Sequence, residues 1–416
     1  MRRGSQVASL TACLAGIAAF SKSFVPFQFF GSTEIFAAAV VLAFLSTLLD
    51  LTPFWRRIAN QDTMVLPVSM LFALAVISFI FLSRGKVPDT YLIGMIGFSS
   101  LFLLLGIAAS MAFRSVLILL LCMAAIYFFY CLNFLIENGS LYINEQFGDV
   151  FDLQNWEFTS GSSVTQLYQN VGTFLGLGAL SFWFLSDRLS PNTRAVSTIA
   201  VLSVFLAIII ACQARGAIVG LVLALMVSTN RRQFRSLLIV GAVAALIVLP
   251  VVLTVDIAHL PIVERTLNEI RSPQPGTRLS LLQFAYQEIS SSPNIAWWGR
   301  GLGMFPVDLG ARPPDWVLAS NAASLYPHNP VVEALYELGI LGALATLTII
   351  LAPFAAVRTK FEHCRAEMSF YVFALSIFLT SGSLAYSFFF YFIYGVTLGR
   401  ISEVGQAKAD RNTAAV

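Results

Sequence analysis

Residues 115–136 read Ser115-Val116-Leu117-Ile118-Leu119-Leu120-Leu121-Cys122-Met123-Ala124-Ala125-Ile126-Tyr127-Phe128-Phe129-Tyr130-Cys131-Leu132-Asn133-Phe134-Leu135-Ile136, with Arg114 before and Glu137 after. These 22 residues contain no Lys, Arg, Asp or Glu. As a helix rising about 1.5 Å per residue, the run crosses the roughly 30 Å hydrocarbon core of a bilayer. Lipid offers no partner to backbone N–H and C=O groups, so a spanning segment must be a helix or part of a closed barrel. A continuous apolar run of this length, without polar alternation, is a helix.

Runs of near-spanning length recur along the chain, at about 5–21, 34–51, 64–83, 90–112, 115–136, 164–186, 195–214, 216–229, 236–255, 331–357, 368–383 and 385–399. Composition agrees: 57% of the 416 residues are apolar and 11% charged, where a soluble domain has roughly 25% charged residues. Mean hydropathy is +0.79. These values exclude a soluble enzyme, a nucleic-acid binder and a disordered scaffold. The net charge of +3 is too small to suggest a polyanion-binding surface. The five cysteines form no C-x-x-C pair and read as buried apolar residues. The fold expected is an all-α polytopic membrane protein of about twelve transmembrane helices. Its blocks are 1–190 (about six spans), 191–255 (spans seven to nine), a large partly helical outer loop 256–330, and 331–416 (the last three spans and a tail).

Basic residues orient the chain. With the N-terminus inside, sixteen Lys and Arg fall on the inner side and nine outside, five of those nine in the long loop. Both termini are therefore expected in the cytoplasm. The acidic segment 137–163, which has no Lys or Arg, and the loop 256–330 are expected to face outward. A loop this long in a compact membrane domain usually has a function.

Two amphipathic helices are legible in that loop. Ile262, Val263, Leu267 and Ile270 share one face of 262–270, and Leu279, Leu282, Tyr286 and Ile289 share one face of 278–290. Gly276 supplies a turn and Thr277 an N-cap, which puts Arg278 at the first helical position. The helix dipole disfavours a cation there, whereas peptide N–H groups and a guanidinium together suit a phosphate. All five basic residues of the loop are arginines (Arg265, Arg271, Arg278, Arg300 and Arg312), the side chain whose planar fork fits phosphate oxygens. Glu264, Glu269, Glu288, Asp308 and Asp315 balance them, so salt bridging is the alternative for each.

Two further signals stand out. Arg215 sits at the tip of a helical hairpin between apolar runs, where a charge at membrane depth suggests function and snorkelling is the plain alternative. The stretch Tyr326-Pro327-His328-Asn329-Pro330 leads into the span 331–357. Asn329 is a good N-cap and Pro330 a good first helical residue. His328 thus precedes a helix N-terminus, where the dipole favours a neutral ring able to accept a proton. Glu333 and Glu337 follow four residues apart on one helix face. The chain has no H-E-x-x-H, Asp-x-Asp, P-loop or G-x-S-x-G motif, so neither a catalytic metal nor a cofactor is expected.

In these residues the chain resembles the O-antigen ligase and O-antigen polymerase superfamily of bacterial envelope enzymes. Their ligase signature is His, then Asn, Ser or Gln, nine residues, Gly, two residues, and Gly, Thr or Tyr. His328-Asn329, Gly339 and Gly342 meet it throughout. Gln213-Ala214-Arg215-Gly216 resembles the family's hairpin arginine, while Gly276-Thr277-Arg278 and Gly299-Arg300-Gly301 are similar to its loop motifs. The resemblance covers about residues 195–345. It implies a C-type glycosyltransferase-like helical fold and metal-independent glycan transfer at the periplasmic face of the inner membrane. The implied donor is an undecaprenyl-diphosphate-linked glycan, and the acceptor a lipid A–core sugar for a ligase or another glycan for a polymerase.

The resemblance further implies that Arg215, Arg278, Arg265, Arg271 and Arg300 bind the diphosphate, that His328 takes the proton of the attacking hydroxyl, and that Glu333 or Glu337 sets its tautomer. Asn329, Gly339 and Gly342 would support the site. The complete His–Gly spacing favours a ligase. A polymerase tends to have two arginine-bearing outer loops, and here only Arg265 and Gly276 fit the spacing. A transporter or flippase, the third alternative, calls for charge deep in the spans. In the early spans only Glu34 and Asp50 qualify, both at the ends of one.

Overall fold

The computed structural model describes residues 2–20, 32–48, 62–138, 167–211, 214–229, 277–312, 326–358, 360–384 and 387–414. These are almost wholly helical and contain no strand, only an isolated bridge between Arg84 and Val87. The helices are α1 (Arg2–Phe20), α2 (Ser32–Leu48), α3 (Asp62–Ser78), α4 (Ser99–Ala109), α5 (Phe113–Asn138), α6 (Leu167–Leu185), α7 (Pro191–Ala211), α8 (Arg215–Ser228), α9 (Thr277–Ser291), α10 (Pro293–Trp298), α11 (Met304–Ala311), α12 (Pro330–Val357), α13 (Arg365–Ser381) and α14 (Phe388–Ala414). The expected span 236–255, residues 139–163 of the acidic segment and the helix 262–270 lie outside the described residues.

Among the described residues, four helical stretches are long and apolar enough to cross a membrane: Val65–Ser83, Met95–Asn133, Asn192–Ile210 and Pro330–Val357. Val7–Ala19 and Arg215–Ser228 are shorter apolar helices. Met95–Asn133 covers two expected spans, with one 3-10 turn, Ser110–Ala112, between α4 and α5. Side chains on α12 show why such a helix prefers lipid. Leu341, Leu344, Leu347, Leu351 and Phe354 form an exposed apolar stripe, while Ala343, Thr346, Ile349, Ile350 and Pro353 on other faces are buried. Water would penalise that stripe; hydrocarbon does not.

The chain forms two compact units: residues 1–23, 27–116 and 277–416 in one, 24–26 and 117–276 in the other. These units cut across the sequence-ordered blocks, because the first helices pack with the last. In the first unit glycines let backbones approach closely. A Cβ on Gly106 of α4 would stand 2.1 Å from the Phe392 carbonyl oxygen of α14, and one on Gly395 would stand 2.2 Å from that of Leu103. Small residues serve helix contact in lipid in this way, where packing rather than the hydrophobic effect drives association. Phe378 of α13 stacks on Phe390 of α14 at 4.0 Å, and Arg400 of α14 pairs with Glu367 of α13 at 2.8 Å.

In the second unit, a Cβ on Gly172 of α6 would meet the Ala214 Cβ at 2.5 Å, and one on Gly178 the Ala124 Cβ at 2.1 Å.

Helix α9 departs from expectation in two ways. Thr277 is its first residue rather than its cap, which makes Arg278 the second. The face packed on protein carries Leu281, Phe284 and Ala285, which meet Phe305, Leu309 and Tyr336, whereas Leu279 and Tyr286 stay exposed. The sequence offers apolar residues on two faces of this helix, and the aromatic partners on α11 and α12 select between them.

Candidate active site

His328 has φ 56°, the one positive value among non-glycine described residues. Such left-handed backbone costs of order 1–3 kcal/mol and persists only where the surroundings fix it. Here they do. Pro327 and Pro330 are buried on either side, and the Tyr326 ring lies 4.4 Å from the imidazole. Asn329 caps α12: its side-chain oxygen accepts from the amides of Val331 at 3.0 Å and Val332 at 3.2 Å. The imidazole, half-buried, is held directly before a capped helix N-terminus.

Within the same helix lies a break. Gly339 adopts φ 72°, ψ −167°, a region essentially restricted to glycine. A Cβ there would stand 2.3 Å from the Trp297 carbonyl oxygen. At Gly342 a Cβ would stand 2.3 Å from the Leu338 Cβ and 3.0 Å from the Ala334 oxygen, because the break folds one half of α12 toward the other. Both glycines of the His–Gly spacing therefore have a steric reason.

The break releases carbonyls that a regular helix would use itself, and buried carbonyls need partners. A second glycine-rich segment supplies them. The Arg300 amide donates to the Tyr336 oxygen at 2.8 Å and the Gly301 amide to the Glu337 oxygen at 3.0 Å. From α3, the Ser78 hydroxyl donates to the same Glu337 oxygen at 3.1 Å and accepts the Leu302 amide at 3.1 Å. Gly299, Gly301 and Gly303 all have positive φ. A Cβ on Gly299 would stand 2.3 Å from the Glu337 oxygen. Residues 299–303 thus form a strap seated in the break.

Glu333 and Glu337 are fully buried. The Glu337 carboxylate accepts from the amides of Gly303 at 2.8 Å and Phe305 at 3.4 Å, capping α11 where its N-terminal donors lack helical partners. Glu333 accepts from the Ser383 hydroxyl at 2.9 Å, the Leu384 amide at 3.1 Å and the Tyr91 hydroxyl at 3.3 Å. These bonds tie the start of α12 to the strap and to the α13–α14 connection. Both carboxyl groups thus help to hold the frame around the start of α12.

Arg300 is likewise committed. Its guanidinium bridges Glu288 at 3.2 Å and Asp308 at 3.5 Å. Arg312 grips Glu288 through two bonds of 2.8 Å, and the Tyr336 hydroxyl donates to Asp308 at 2.7 Å. Burial pulls the Glu288 carboxyl upward, but hydrogen bonds and charge from Arg312 and Arg300 outweigh it and hold the group below its ordinary value. Arg300 joins α9, α11 and the strap, which fits the salt-bridge alternative.

Arg215, in the second unit, is the half-buried first residue of α8. Just before it, the Ala214 amide donates to the Ile209 oxygen at 3.1 Å. Its position at a helix N-terminus suits an anion. Arg265, Arg271 and the side chain of Arg278 lie outside the described residues. Among the described residues, no three His, Cys, Asp or Glu side chains gather as metal ligands.

Sequence reading missed Ser78, Tyr91 and Ser383. Ser78 carried a usable signal, as a hydroxyl inside an apolar span that had to find a partner. Residues 198–347 match the sequence profile of the O-antigen ligase family. No curated relative matches the chain.

Proposed function

The match over residues 198–347 supports membership of the O-antigen ligase superfamily, and on that premise we propose that this membrane protein is a glycan ligase of the bacterial inner membrane. It moves an undecaprenyl-diphosphate-linked glycan onto a lipid A–core sugar at the periplasmic face. The observation that carries this reading is His328: a half-buried imidazole on left-handed backbone directly before a capped helix start, within a His–Gly spacing whose glycines are sterically required. About twelve spans, a C-type glycosyltransferase-like arrangement and cytoplasmic termini belong to the same proposal.

In the reaction, the acceptor hydroxyl oxygen attacks the anomeric carbon of the donor. The bond from that carbon to the diphosphate oxygen breaks, with inversion. His328 takes the hydroxyl proton, a role for which a neutral imidazole is suited. Undecaprenyl diphosphate leaves with the bonding pair, and Arg215 and Arg278, aided by Arg265 and Arg271, neutralise the charge that develops on it. Guanidinium groups serve here in place of a metal. Arg300 serves the frame that supports His328, through Glu288 and Asp308.

A deletion strain tests the reading. Loss of a ligase leaves long polymer on the lipid carrier, and restoring the chain returns the lipopolysaccharide ladder. Accumulation of single lipid-linked repeat units would instead show a polymerase.

A further inference from the structure

Two independent rulers give the level of the strap in the bilayer. Helix α12 has 28 residues and ends at Val357, and about 20 helical residues span the hydrocarbon core. Counting back about 20 residues from Val357 reaches the region of Leu338, beside the break at Gly339. The second ruler is Val65–Ser83, an apolar span of 19 residues. Ser78, which bonds the Glu337 carbonyl and the Leu302 amide, lies five residues from its Ser83 end, just before the π-helical turn Phe79–Ser83. Both rulers place the strap at one boundary of the hydrocarbon, at the end of α12 that bears His328.

At that level α10 presents two adjacent tryptophans, Trp297 and Trp298, which are 65% and 69% exposed. The strap that follows them touches the neighbouring span. A Cβ on Gly301 would stand 3.0 Å from the Leu82 Cβ, and Phe81 beside it is 78% exposed. Indole combines an apolar body with one N–H donor and favours the layer where hydrocarbon meets headgroups.

We propose that α10 and the strap form a membrane-surface anchor, with Trp297 and Trp298 seated among phospholipid headgroups at the His328 end of the bundle. The anchor fixes the height of residues 299–303, and through their bonds to Tyr336 and Glu337 it fixes the height of the α12 segment that carries His328. The lipid placement is independent of the glycan reaction assigned above, and its test needs no transfer.

The experiment uses the full chain in nanodiscs of phosphatidylethanolamine and phosphatidylglycerol. One lipid preparation carries bromine near the headgroup end of the acyl chains, another near the terminal methyl. Fluorescence of the wild type minus that of Trp297→Phe/Trp298→Phe isolates the pair, and each single Phe variant repeats the measurement should the double variant fold poorly. The pair's emission should be quenched most by the shallow bromine and little by aqueous iodide. Strongest quenching by deep bromine or by iodide, a change on adding oligosaccharide, or no quenching at all would each overturn the proposal. Oligosaccharide sensitivity would mean that the tryptophans stack on sugar rings instead.

Discussion

The Gly301 amide donates to the Glu337 carbonyl at 3.0 Å, a bond available because α12 breaks two residues later at Gly339. The two glycine motifs, one in residues 299–303 and one in the long apolar helix α12, therefore build a single joint. The joint lies eleven residues along the chain from His328 and fixes the helix half that His328 precedes. Changes far from the imidazole should thus reach the site through the joint.

Gly339→Ala tests the joint directly. An L-residue at φ 72°, ψ −167° carries strain of about 1–3 kcal/mol, and its Cβ would overlap the Trp297 carbonyl at 2.3 Å. A lower thermal midpoint and loss of transfer are expected together. A fully active, equally stable Gly339→Ala protein would show that the break is not required.

His328→Asn separates backbone from chemistry. Asparagine tolerates left-handed φ but cannot take a proton at neutral pH. Thermal stability should stay close to wild type while transfer falls by roughly 10²–10⁴-fold, the usual contribution of a general base. Rates from purified protein of verified fold provide the check.

The arginines should divide into two groups. Arg215→Ala and Arg278→Ala are expected to abolish transfer while expression and membrane insertion persist. Arg300→Ala loses its bridges to Glu288 and Asp308, so its first effect should be faster proteolysis between α9 and α11. Lipopolysaccharide ladders from complemented strains, alongside limited proteolysis of purified protein, distinguish these outcomes.

Acid should loosen the same region. The Glu288 carboxyl has an ordinary value of 4.5 and lies lower in the folded protein. Its ion pairs thus contribute fully above about pH 4.5 and are lost as pH falls through the lower folded value. Hydrogen exchange of α9 should rise over that acidic window, and Glu288→Gln should flatten the response while raising exchange at neutral pH.

Much of the fold was legible because its signals are local. Apolar length marks the helices, and Asn329-Pro330 marks the start of α12. The break at Gly339 was not legible, since apolar residues continue on both sides and a glycine within a span is ordinary. Its reason lies in a backbone contact with Trp297, distant in sequence. The roles of Glu333 and Glu337 were hidden for the same reason, because the groups that use their carboxylates come from residues 91, 303–305 and 383–384. Composition showed that acids balanced the loop arginines; only geometry showed that Glu288 and Asp308 take Arg300.

The decisive measurement is transfer in vitro, with purified protein, an undecaprenyl-diphosphate-linked glycan and lipid A–core acceptor, comparing wild type with His328→Ala. The account predicts glycan-bearing product from the wild type, undiminished by chelator, and essentially none from the variant. Product from His328→Ala at the wild-type rate would contradict it.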